Sequence, residues 1–198
     1  MKKLIWLLLF PIVILLTGCP PNPVSCGKGQ LDFEPPSFVL STAYTSPGFL
    51  YNNGNGLAVV LDSITYQSGL HGFNHSDILN AAPHPFGTNQ IIRMNNTVLS
   101  FDLKQYTRNV EFEYLDQGGT INLSAHGSAN MYIGNIGAMP STLISNGVTV
   151  TKSNVTVLTN PQGVRVAEKG VITLKFNSDI GGMTIGGQEL FLDNFCFN

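Results

Sequence analysis

Three of the chain's four histidines, His71, His75 and His84, fall within residues 67–89, QSGLHGFNHSDILNAAPHPFGTN, together with Asp77. Imidazole nitrogens are good zinc or copper ligands, and one carboxylate would complete a four-ligand set. The same residues equally suit a polar surface loop, with Asn74-His75-Ser76-Asp77 as a turn or as the cap of a short helix. A second constellation is E-x-E-x-x-D, formed by Glu111, Glu113 and Asp116. On a strand, Glu111 and Glu113 would stand on one face about 7 Å apart. Glycoside hydrolysis uses two carboxyl groups, about 5–5.5 Å or 6.5–9.5 Å apart. A bound cation or a plain solvated strand face would use the same letters. No nucleophile elbow, H-E-x-x-H, C-x-x-C or phosphate loop occurs.

Short apolar or alternating runs must position these groups. They fall at residues 30–34, 57–66, 90–94, 97–103, 109–115, 120–125, 148–152, 154–159, 164–168, 171–177 and 189–195. Turn signals separate them, among them Asn53-Gly54-Asn55-Gly56, Gly118-Gly119, Asn160-Pro161-Gln162-Gly163, Lys169-Gly170, Gly181-Gly182 and Gly186-Gly187. Many short strands joined by turns predict an all-β fold, an antiparallel β-sandwich of jelly-roll type. Residues 109–115 show the alternation well: Val110, Phe112 and Tyr114 face one way, Glu111 and Glu113 the other. Residues 67–89 form the longest irregular stretch, and His126 reads as a turn residue at a strand end.

The chain opens with Lys2-Lys3, an uncharged run over residues 4–16, and then Leu15-Leu16-Thr17-Gly18-Cys19. The run is too short for a spanning helix, which needs about 20 apolar residues, and fits a signal-peptide core. The segment resembles the lipobox of bacterial lipoproteins. That resemblance implies cleavage after residue 18, a lipidated Cys19, and a chain whose membrane partner is the lipid itself. Residues 1–18 are then the signal peptide, 19–29 a lipidated tether, and 30–198 the β-sandwich domain. Pro20, Pro21 and Pro23 stiffen the tether. Pro20 stands where inner-membrane lipoproteins often carry Asp, so the resemblance implies the bacterial cell envelope and its outer membrane.

Without Lys2 and Lys3 the chain carries eight basic and twelve acidic side chains. There is no basic stripe, which excludes a nucleic-acid partner. Two cysteines remain beyond Cys19: Cys26, just before the first strand, and Cys196, in the last. In an exported protein they are expected to form a disulfide tying both ends of the domain, the alternative being two free buried thiols. Residues 31–34 and 191–195 read as a pair of alternating strands lying side by side.

The acidic opening, Leu31-Asp32-Phe33-Glu34, and the Leu192-Asp193-Asn194 closing resemble those of jelly-roll carbohydrate-binding modules. The resemblance implies a structural calcium held by Glu34 and Asp193, with Asp32 as a further candidate. It also implies aromatic platforms for sugar. The sole tryptophan, Trp6, leaves with the signal peptide, so Tyr44, Tyr51, Tyr66 and Tyr132 would have to serve. The E-x-E-x-x-D pattern is similar to the E-x-D-x-x-E of laminarinase-type jelly-roll glycosidases, with its residue types in another order. The expected function is therefore a lipid-anchored envelope protein binding a glycan or another envelope protein. The alternatives are a metal-dependent hydrolase or glycosidase on the same scaffold, and a structural envelope protein with no small ligand.

Overall fold

The computed structural model describes residues 26, 29–54, 57–82, 84, 86–87, 89–125, 131–145 and 147–198. The signal segment, Cys19, most of the 19–29 tether and His126 lie outside the described residues. Among the described residues fourteen strands follow in chain order: β1 (Gly29–Leu31), β2 (Ala43–Tyr44), β3 (Gly48–Asn52), β4 (Leu57–Thr65), β5 (His71–Gly72), β6 (His75–Asn80) and β7 (Gln90–Asn95), then β8 (Thr97–Asp116), β9 (Ile121–Ala125), β10 (Tyr132–Gly134), β11 (Thr142–Ser145), β12 (Val148–Thr159), β13 (Arg165–Gly187) and β14 (Leu190–Phe197). One short 3-10 turn, Ile136–Ala138, precedes β11.

β8 and β13 are the two long strands, and they pair with each other twice. Glu168–Lys175 lies against Asp116–Asn109, and Gly182–Gly187 against Asp102–Thr97, with register shifts between. Each half takes different neighbours. The 97–103 half is flanked by β4 and β3 on one side and, across β13, by β9 and β10. The 109–116 half is flanked by β14, β7, β6 and β2 on one side and, across β13, by β12 and β11. The sheet thus curls into an antiparallel β-sandwich, as the short alternating runs predicted. Phe101 from one half meets Phe195 and Phe197 from the other at ring-centroid distances of 4.8 and 5.7 Å. Phe112, from the strand paired with β14, stacks on Phe195 with ring centroids 4.8 Å apart. Val59, Leu61, Leu99, Ile172, Leu174, Ile185 and Leu192 fill the rest of the interior. Each such side chain contributes about 1.5–3 kcal/mol when fully buried.

The sequence placed turns where strands run on. Lys169-Gly170 and Gly181-Gly182 lie inside β13, and the paired runs 97–103 and 109–115 are one strand. Gly170 is a glycine for a packing reason: it faces Tyr114 in register, and a Cβ there would sit 3.1 Å from that ring and 2.9 Å from the Ser153 carbonyl oxygen. The irregular stretch 67–89 contains β5 and β6; the residues read as a helix cap are extended. There Ser76 and Ile78 are buried, with Asp77 and Leu79 between them on the other face.

Strand parity builds a second, smaller core. Leu115 and Phe191 neighbour inward-facing Tyr114 and Leu192, so they must point out of the sandwich. They are nonetheless buried, with Ala81, Phe86, Ile91 and Ala167. The segment after β6 folds over them.

The two ends of the domain meet as expected. β1 pairs with β14, Gln30 opposite Cys196 and Leu31 opposite Phe195. Cys26 and Cys196 are joined by a disulfide with a Cα–Cα distance of 5.1 Å, closing a loop of 170 residues in sequence. A C26A/C196A double variant is expected to lose about 2–5 kcal/mol of stability. Urea unfolding checks this; a midpoint equal to that of the oxidised wild type would show that the bridge does not stabilise the fold.

Candidate functional site

The outward face of β8 carries Glu111 and Glu113, separated by inward Phe112. Glu111 accepts a hydrogen bond from the Thr173 hydroxyl at 3.1 Å. Glu113 instead borders an open hollow of about 530 Å³, together with His84, Phe86, Asn154 and Lys169. Three devices shape this hollow. A register shift in β12 between Ser153 and Thr156 puts Asn154 in the left-handed region, φ 52°, and leaves it exposed. Such bulges recur beside functional sites because they re-aim a side chain. The floor is the small outer core, where the His84 ring lies 5.0 Å from that of Phe191. The third device is Gly87, at φ +75°, which presses onto Ile91 and onto the Asp193 carboxylate, where a Cβ would come within 3.0 Å of Oδ2. Only glycine combines that backbone with that approach.

Of the carboxylates expected to bind calcium, Asp193 and Glu34 lie beside the same segment. Asp193 is fully buried beneath Gly87. Glu34 Oε1 accepts the Gln90 backbone N–H at 2.9 Å, and Asp32 Oδ1 accepts that of Glu34 at 3.3 Å. The histidines are dispersed. His71 Nδ1 lies 3.2 Å from the Thr65 hydroxyl, and His84 is against Phe191. His75 and Asp77 share Arg93, whose guanidinium donates to Asp77 Oδ2 at 2.6 and 2.8 Å and lies 3.2 Å from His75 Nε2. A guanidinium thus occupies acceptors that zinc would need. Among the described residues, no three His, Cys, Asp or Glu side chains gather as a metal site.

The four tyrosines are half-buried and engaged. Tyr51 packs on Phe38 with ring centroids 5.3 Å apart. Tyr66 donates to Asn96 Oδ1 at 3.0 Å, and Tyr132 donates to the Asn135 carbonyl at 2.7 Å. Tyr44 packs against the main core, and burial raises its pKa.

The E-x-E-x-x-D pattern divides between faces. Asp116 is five residues from Glu111, so parity turns it inward, at the end of the sandwich. There it stands opposite Glu168 in register. Glu168 Oε1 accepts from the Tyr114 hydroxyl at 2.7 Å and from Lys152 Nζ at 3.1 Å, while the Arg165 guanidinium lies 3.4 Å from Oε2. Lys152 also donates to the Ile136 carbonyl at 2.8 Å. Burial, and then its bond to Glu168, hold the Tyr114 phenol well above the usual range. Sequence reasoning missed Tyr114, Lys152, Arg165 and Glu168 as a group. Their separation along the chain leaves the strand register as the only signal that joins them.

No protein-family model matches this chain, and neither a curated protein nor a solved structure matches it.

Asp116 gives this cluster a pH signature. Its carboxyl is buried, and burial above all raises its pKa from 3.8 to about 6, against the pull of the Gly118 N–H and the Arg165 charge. Between about pH 4 and 6 the folded chain holds a proton that the unfolded chain has released. Stability therefore falls as pH rises through that window and is level above it. A shift of about two units corresponds to on the order of 3 kcal/mol. Asp116→Asn is expected to raise the melting temperature at about pH 7.5 by several degrees, and to change it little near pH 4. A variant no more stable than wild type at the higher pH would refute this assignment.

Proposed function

We propose that the protein is a lipid-anchored binding module of the bacterial cell envelope, tethered to the outer membrane through Cys19, and that its ligand is a carbohydrate held in the hollow beside Glu113. The observation that carries this reading is the convergence of a carboxylate, an amide, an amine and an imidazole from three strands and one loop on that hollow. Sugar hydroxyls both donate and accept, and such a set offers acceptors and donors at once. His84 and Phe86 border the hollow with ring surface of the kind that sugar C–H faces require.

The anchor fits this placement. Cys19 precedes Cys26 by seven residues, so the tether reaches at most about 25 Å from the lipid to the disulfide. The disulfide then transmits any pull on the tether to β14, at the centre of the second layer, rather than to the edge strand β1 alone.

Glycan-array screening of the soluble protein beginning after Cys19 tests the ligand class. Binding to at least one glycan is expected, weakened about tenfold or more by Glu113→Ala or Asn154→Ala. Silence across plant, algal and bacterial glycans, or binding indifferent to both substitutions, would overturn the reading. The anchor is tested separately by mass spectrometry of the native protein, where an unmodified Cys19 would refute it.

A further inference from the structure

A second pocket, of about 200 Å³, opens at the sandwich end and is lined by Asp116, Gln117, Asn135 and Arg165 among others. Asp116 is 1% exposed. Its Oδ1 accepts the Gly118 N–H at 3.2 Å, and its Oδ2 is buried with no hydrogen-bond partner among the described residues. The charges around it are unevenly shared. Lys152 and Arg165 both direct their charge at Glu168, at 3.1 and 3.4 Å. Asp116, the register partner of Glu168, makes no ion pair among the described residues. The Arg165 guanidinium also lies directly over Gly137. The remaining titratable groups that bear on Asp116 are Glu168 and Glu189, which disfavour its anion, and the phenols of Tyr114 and Tyr132.

A buried carboxylate oxygen at a pocket, with the neighbouring cations engaged elsewhere, is complementary to a positive charge. A metal ion is a poor occupant. One carboxylate oxygen falls short of the four or more ligands that zinc or calcium takes. A guanidinium fork is best met by two open acceptor oxygens side by side, and here Oδ1 already accepts the Gly118 N–H. An ammonium is a compact point charge that a single oxygen can receive. We propose that this pocket binds the primary ammonium group of a small polar molecule, with Asp116 Oδ2 as its counter-charge and Gln117 meeting an acceptor on the same molecule. An amino sugar and an ethanolamine headgroup share that chemistry. Retaining a charge that burial disfavours is the kind of stability cost that binding sites carry. The inference is independent of the outer hollow.

Calorimetric titration of the soluble domain with glucosamine and with ethanolamine tests it, with glucose and N-acetylglucosamine as uncharged counterparts. Saturable binding of at least one amine is expected at about pH 7.5, weakening about tenfold per pH unit below pH 6 as protons compete for Asp116. Preference for glucosamine points to an amino sugar, and preference for ethanolamine to a lipid headgroup; either supports the proposal. Asp116→Asn should abolish binding while its melting curve shows a folded protein, and Asp62→Ala, at an exposed carboxylate outside both pockets, should leave binding unchanged. Absence of amine binding to the wild type, equal binding of N-acetylglucosamine and glucosamine, or retention by Asp116→Asn would each overturn the proposal. So would an affinity that is flat between about pH 7.5 and 5.

Discussion

The double pairing of β8 with β13 is the constraint on which the molecule depends. Two strands of 20 and 23 residues are too long for one flat layer, and a register shift midway lets them bend into a second. Each half then recruits its own neighbours, and the aromatic contacts from Phe101 to Phe195 and Phe197 close the space between. The disulfide at Cys196 reinforces the strand that borders β8 in the second layer. Removing it leaves the sheet topology intact but enlarges the unfolded ensemble.

The same pairing sets the electrostatics. Opposing Asp116 to Glu168 brings two carboxyl groups together where water is scarce. Lys152 from β12 and Arg165 from the start of β13 answer one of them, and the Tyr114 hydroxyl crosses over Gly170 to the same oxygen that Lys152 meets. A polar group inside a β-sandwich is tolerated only with partners, so this end is tightly specified. Asp116 has the Gly118 N–H on one oxygen, and burial raises its pKa.

Fold class, the paired termini and the disulfide were legible in the sequence because each rests on local pattern or on end placement. Val110, Phe112 and Tyr114 alternate with Glu111 and Glu113, and the structure keeps that alternation. The short strands β2, β3, β5, β10 and β11 were not legible. Each has five residues or fewer, too few for a period to declare itself. Glycines misled for a related reason: Gly170 and Gly181 resemble turn signals, yet they lie within β13, and at Gly170 another residue needs the room. The structure disperses the histidines, and Arg93, on a neighbouring strand, meets His75 and Asp77.

By itself the sequence determined which faces are apolar, that strands would dominate, and that Cys26 and Cys196 stand at the ends of the domain. Those properties depend on residues close in sequence or on composition, and strand parity carries them. Only the tertiary structure decided how the carboxylates are grouped. Register places Asp116 against Glu168 and parts it from Glu111 and Glu113, while a bulge and one glycine bring Asn154 and His84 to Glu113. Register is fixed by how buried side chains across many strands fit together, and a linear pattern does not encode that fit locally.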